Sequence, residues 1–361
     1  MSDRLSSADA KKLPAISAIR DPAEQIRVQK LVDGARLEGA LSWIGVQFEK
    51  DRAEIIFAEF KRYYGLDELV LDYSYTPTGQ IIFQVDRLLA EGRNTIDIVW
   101  SSSWGWYKDL LRRGEIMEYH SPHYSDYTLS DKYGMSVAGY WVSDAYTFSP
   151  LYNFAALEKL GIRDFNPTSW DDLTDPRLAD AICMIDVHVS TTAAPVLAGI
   201  AKKMGNDWLN ALGANRPTLF TRGADSRENV EAGNFAITLF ATPADRLMLM
   251  ERNVPVGQAF PKEGVVLVPF APIILQSAPH PNAARLFIDF VRSGYGTQAV
   301  MADKAGALIV SGRPGIKPKY PDIIPAAESL MVIPFDWDRE DTVDAIATFR
   351  AKAYSAGIKQ R

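Results

Sequence analysis

Two long β-prone stretches, residues 141–152 and 265–275, each join one block of alternating helix and strand to another. This double crossing constrains the fold more than any other feature of the chain. The first block reads helix 26–38, strand 40–45, helix 52–64, strand 69–75, helix 79–91 and strand 95–100. Its last strand, TIDIVW, is almost continuously apolar, as a strand covered on both faces must be. The second block reads strand 181–187, helix 193–204, strand 217–221, helix 226–231, strand 235–240 and helix 245–252. Such alternation predicts an α/β fold with mostly parallel sheets flanked by helices. At 361 residues the chain exceeds what one core usually supports. A chain that leaves one unit, builds a second and returns makes two lobes on a hinge, with a cleft between them.

The boundaries follow from the crossings. Residues 26–146 with 271–361 form lobe one, 147–270 form lobe two, and the polar residues 1–25 form a loose leader. Pro269 and Pro272 place any pairing of the second crossing at an edge or a bend. Residues 282–292 carry Ala283, Ala284, Leu286, Phe287, Phe290 and Val291 on one face of an amphipathic helix.

Composition removes some classes of function. The formal charge of −6 argues against a general nucleic-acid binder, which needs a basic surface to displace counterions. The single cysteine, Cys183, rules out an internal disulfide and sits in an apolar run that reads as core. No apolar run approaches the ~18 residues of a membrane helix. The opening MSDRLSSADAKKLPAISAIRD has no hydrophobic signal core, which leaves open a cytosolic chain or one whose signal has been removed. His120 and His123 have metal-pair spacing but lie in a proline-containing loop without a supporting ligand group. No nucleophile elbow, zinc-protease, phosphate-loop or dinucleotide motif is present, so no catalytic residue is assigned.

Several segments, in order, resemble the iron(III)-type branch of the bacterial extracellular solute-binding proteins. They are LVDGARLEGALSWIG, TPTGQIIFQVDRLLAEGRNTIDIVW, LYNFAALEKLGI, PTSWDDLTDPRLADAICMIDVHVSTTAAPVLAGI, SRENVEAGNFAITLF and NAARLFIDFVRSGYGTQAV. The resemblance implies a type II periplasmic-binding fold. It also implies a periplasmic receptor, acting as a monomer without a cofactor, that hands a small-molecule solute to the permease of an ABC importer. Iron-binding members carry adjacent tyrosines where this chain has Pro243 and Ala244, and ferric iron favours phenolate oxygen. An iron receptor, a transferase-like enzyme on the same fold and a sensory receptor remain the alternatives.

In open α/β sheets, ligands lie beyond the carboxyl ends of the strands, where helix N-termini present free N–H groups. Polar residues at those turns are therefore the candidates. They are Thr76, Thr78 and Gly79 after strand 69–75, and Ser101 and Ser102 after strand 95–100. Ser190, Thr191 and Thr192 follow strand 181–187, and Arg222 and Ser226 follow strand 217–221. Serine and threonine are also ordinary helix caps. Of the two arginines flanking the fourth turn, Arg222 is taken as the ligand contact and Arg227 as solvated. Trp43 stands at a family position facing the cleft, Tyr146 lies on the first crossing, and Thr242 and Asp245 occupy the region of the iron-type tyrosines. This set suits a small organic solute bearing an oxyanion.

Overall fold

The computed structural model describes residues 14–17, 19–137, 141–337 and 339–359. Its strands are β1 (Ala40–Gly45), β2 (Val70–Tyr75), β3 (Ile98–Ser101), β4 (Ser136–Val137), β5 (Trp141–Val142), β6 (Asp144–Thr147), β7 (Ser149–Asn153), β8 (Ile182–Ile185), β9 (Thr218–Phe220), β10 (Ile237–Ala241), β11 (Val256–Gln258) and β12 (Leu267–Ile274). One sheet runs β2-β1-β3-β12-β6 and the other β11-β7-β10-β8-β9, with β4 and β5 a separate hairpin. In the first sheet β1 is parallel to β2 and β3, while β12 is antiparallel to β3 and β6. The second sheet repeats the pattern. There β8 is parallel to β9 and β10, and β7 is antiparallel to β10 and β11. Each lobe is thus a mixed α/β sheet whose parallel part aims its carboxyl ends at the same region.

The helices that bear on function are α1 (Pro22–Glu38), α2 (Lys50–Tyr64), α3 (Thr78–Ala90), α4 (Trp104–Arg112), α5 (Ala193–Met204), α6 (Asn206–Ala214), α7 (Gly223–Glu231), α8 (Pro243–Glu251), α9 (Pro281–Arg292) and α10 (Val343–Ser355). Helix α1 begins because Asp21 accepts a hydrogen bond from the Ala23 amide at 3.0 Å, with Pro22 at the first helical position. It ends at Gly39, whose φ of 74° suits glycine. At the start of α9 the Glu38 carboxylate takes the Asn282 and Ala283 amides at 3.0 and 2.8 Å, a negative charge on a helix's positive end.

Two expectations need correction. The leader is not loose throughout, because Ala15 and Ile16 are buried in the core of lobe one. The β-prone stretch 141–152 divides among β5, β6 and β7, since the chain changes sheets between Thr147 and Ser149. Lobe one does not keep all of 271–361. The chain crosses a third time, and its last part packs on lobe two. Lys202, on the α5 helix of lobe two, pairs with Glu340 at 2.9 Å. Arg350 Nε reaches the Val187 carbonyl at 2.9 Å. A Cβ on Gly213 of α6 would stand 1.8 Å from the Ala356 carbonyl oxygen, so the tail lies directly on that helix.

The prolines of β12 are instructive. The strand lies inside its sheet, yet it pairs with β6 only over Leu267–Phe270 and with β3 only over Ala271–Ile274. Each half has one bonded neighbour, so a missing N–H facing the open side breaks no ladder bond.

Candidate functional site

A cleft of about 560 Å³ opens where the strand ends of the two sheets face each other. Four helix N-termini border it. Glu49, Asp51 and Arg52 come from the start of α2 and Thr78 from the start of α3, both in lobe one. Gly223, Ala224 and Arg227 come from α7, and Thr242, Ala244 and Asp245 from α8, both in lobe two. Among the described residues the starts of α2, α3 and α7 have no side-chain cap, although within the first turn of α2 the Arg52 amide donates to Asp51 Oδ1 at 2.8 Å. The start of α8 is closed by a reciprocal cap. There Thr242 Oγ1 accepts from the Asp245 amide at 3.3 Å, and Asp245 Oδ2 accepts from the Thr242 amide at 2.8 Å.

Asp245 is therefore held from both sides, because its other oxygen accepts from Arg227 Nη1 at 3.0 Å. This pair is about four-fifths buried, Glu228 also approaches the guanidinium at 3.7 Å, and Arg227 Nε is buried without a hydrogen-bond partner among the described residues. A guanidinium oriented by carboxylates, with a donor unclaimed, is suited to a further oxyanion. Arg52 donates to the Gly306 carbonyl at 3.0 Å, tying the entry of α2 to the segment that supplies Ala307–Ile309 to the cleft wall. Burial raises the Tyr75 phenol above its ordinary range, and the charges of Glu49 and Asp245 add to this while Arg227 opposes it. Tyr75 of lobe one thus feels charged groups of lobe two across the opening.

Tyr146, on β6, belongs to both lobes. Its hydroxyl lies 3.3 Å from Ser102 Oγ of lobe one and also bonds Thr192 of lobe two. Burial raises its phenol, and those two bonds partly offset the shift.

Of the sequence candidates, Thr78, Tyr146, Thr242 and Asp245 line the cleft. The others do not. Thr76 is buried and shares a hydrogen bond with Ser74 at 2.8 Å, while Gly79 is exposed one residue beyond Thr78. Ser101 is wholly buried, with its hydroxyl unpartnered, and Ser102 is engaged with Tyr146. Ser190 Oγ caps α5 by accepting from the Thr192 and Ala193 amides, at 3.2 and 3.0 Å, and Thr191 is exposed beside it. Ser226 is wholly buried against Cys183, whose thiol contacts its carbonyl. Trp43 is 1% exposed and packs among Tyr73, Trp100, Phe287 and Phe48 at centroid distances of 4.6–5.9 Å. The alternating pleat turns it into the core of lobe one rather than toward the cleft.

The two arginines are placed the other way round from the expectation. Arg222 is exposed and ion-paired with Asp225 three residues on, whereas Arg227, one turn into α7, faces the cleft. The largest omission is the turn after β1, where Gln47, Glu49, Asp51 and Arg52 stand. The strand-end rule that selected the other turns applies here too. It was missed because these residues are not small hydroxyls.

With the geometry in hand, the relatives can be placed. A family model described as bacterial extracellular solute-binding protein matches residues 95–336. An uncharacterized protein of Haemophilus influenzae is 27% identical over 191 residues, covering 51% of this chain and 55% of that protein, so the match spans about half the relative's length. Two solved structures share the fold. The periplasmic binding protein P5PA is 19% identical, with a TM-score of 0.70 over 89% of this chain and 100% of its own. The periplasmic binding protein AfuA from Actinobacillus pleuropneumoniae, with exogenous fructose-6-phosphate bound, is also 19% identical. Its TM-score is 0.69 over 88% and 98% of the two chains. The fold is that of the type II periplasmic binding proteins, and the chain belongs to the bacterial extracellular solute-binding protein family.

Proposed function

We propose that the chain is the periplasmic receptor of an ABC importer, capturing a small organic oxyanion between its lobes and presenting the closed form to a membrane permease. One observation carries this reading: three helix N-termini without a side-chain cap, two from lobe one and one from lobe two, border the cleft beside the Arg227–Asp245 pair. Partial positive charge from amides and a guanidinium donor favours a carboxylate, phosphate or phosphonate there. A ligand touching both lobes favours closure by its differential affinity for the closed state, so no chemistry on the solute is needed. A structural neighbour crystallised with a sugar phosphate is in keeping with such a ligand. The cargo is organic rather than ferric ion, because Pro243 and Ala244 replace the adjacent tyrosines of iron-type members. The receptor acts as a monomer and needs no cofactor.

The test is a thermal-shift screen over organic acids, phosphate esters, phosphonates and ferric citrate. A ligand at a hundred times its dissociation constant stabilises by about 2.7 kcal/mol. Stabilisation by an organic anion that Arg227→Ala abolishes supports the reading. A coloured complex with ferric citrate, and no response to any organic anion, overturns it. Fractionation of native cells checks the periplasmic location.

A further inference from the structure

The charged groups and the polar Gln47, Thr78 and Thr242 occupy part of the cleft, and another part of its wall is apolar. Ile185, Phe240 and Met248 of lobe two meet Phe148 at the crossing. Tyr146, Phe148 and Phe240 form a ladder of rings, with successive centroids 5.4 and 5.8 Å apart. At the edge of the cleft Tyr75 is 51% exposed. An inorganic oxyanion, worth a few water volumes of about 30 Å³ each, would leave most of the 560 Å³ unfilled. A chain of hydroxylated carbons set against this apolar part of the wall would leave its hydroxyls there without partners, which is costly. A flat, weakly polar ring would meet that wall without such loss and stack or sit edge-on to the aromatic residues.

Building on the proposed capture of an organic oxyanion, we infer that the solute carries a planar ring, which packs on the Tyr146–Phe148–Phe240 ladder and is covered by Tyr75 while its anionic group meets Arg227. Tyr75 is then a specificity-determining residue. It ends β2, the edge strand of its sheet, and removing its ring disturbs no core. The charges of Asp245 and Arg227 reach its hydroxyl, so the ring stands near the place where the anion would lie.

The experiment is calorimetric titration of the full chain with two matched pairs of probes: phenyl phosphate against glycerol 3-phosphate, and benzoate against propionate. Within at least one pair the aromatic probe is expected to bind about tenfold tighter, as stacking of this kind allows. Tyr75→Ala should erase most of that preference and Tyr75→Phe should keep it, with both variants melting like the parent. Equal or tighter binding of the aliphatic probes, still abolished by Arg227→Ala, would overturn the ring and leave the anion reading standing. A preference untouched by Tyr75→Ala would overturn the placement of the ring. If none of the four probes binds, the oxyanion reading and the ring fall together.

Discussion

Two arginine–aspartate pairs show how one chemistry serves two ends. Arg292 and Asp144 meet at 2.6 Å with side chains 1% and 0% exposed, at the strand that leaves lobe one. Asp144 also accepts from the Gly312 amide at 3.0 Å, and the Arg292 guanidinium lies over the rings of Tyr127 and Trp100. Burial opposes the charge on Arg292, yet Asp144 and neighbouring phenols hold it firmly protonated. Arg227 and Asp245 meet at 3.0 Å but border the cleft, and one guanidinium nitrogen has no partner. The first pair is closed on itself and fixes the crossing. The second borders open space, and on the proposal above a ligand completes it.

The sharpest way to break this contrast is to remove each arginine. Arg292→Ala leaves Asp144 buried without its counter-charge and is expected to cost about 3–5 kcal/mol, read as a fall in the urea midpoint. A variant as stable as the parent would mean the pair does not hold the crossing. Arg227→Ala should cost only about 1 kcal/mol or less of stability, because its partner keeps the helix cap and contact with solvent. It should weaken the best organic anion by roughly ten- to a hundredfold, the worth of a charged hydrogen bond. If the two variants exchange behaviour, the contrast is inverted.

Tyr146→Phe tests the joint between these sites. It removes bonds to Ser102 and Thr192 from opposite lobes, and about 1 kcal/mol of stability should go with them in chemical denaturation. The smallest effect concerns pH. Burial raises the Asp341 carboxyl to about 7, opposed by Lys108 on α4 of lobe one. Asp336 also acts on that lysine. Between pH about 4 and 7 the folded chain keeps a proton that the unfolded chain has released, so stability falls as pH rises. Asp341→Asn should flatten that slope in melting curves recorded across the window. An unchanged slope would assign it to other groups.

Much of the fold was legible because burial writes itself into residue order. The strand at 40–45 and the helix at 193–204 have the bounds that alternation and periodicity predict. The double crossing likewise announced two lobes. Helix α10 escaped because its packing on α5 and α6 is a contact across more than a hundred residues, which no local pattern encodes. At the cleft, the strand-end rule picked Thr78, and the likeness to iron-type members picked Thr242 and Asp245, all of which line it, but neither could tell which side of a turn faces inward. Thus Arg222, expected at the cleft, is exposed, while Arg227, five residues on, lines it. Trp43 failed for the same reason, since a pleat has two faces and both are covered here.

The third crossing has a practical consequence. Helix α1 packs in lobe one while α10 rests on lobe two, so the early and late parts of the chain ride on opposite halves. Leu37 and Val343, exposed at 85% and 87%, give one attachment point on each. The lone native thiol is sealed in the interior, so cysteines placed at these points would take a donor and an acceptor dye without competition. The separation of the dyes would then follow the jaws directly, turning the receptor into a fluorescent gauge of its own cargo.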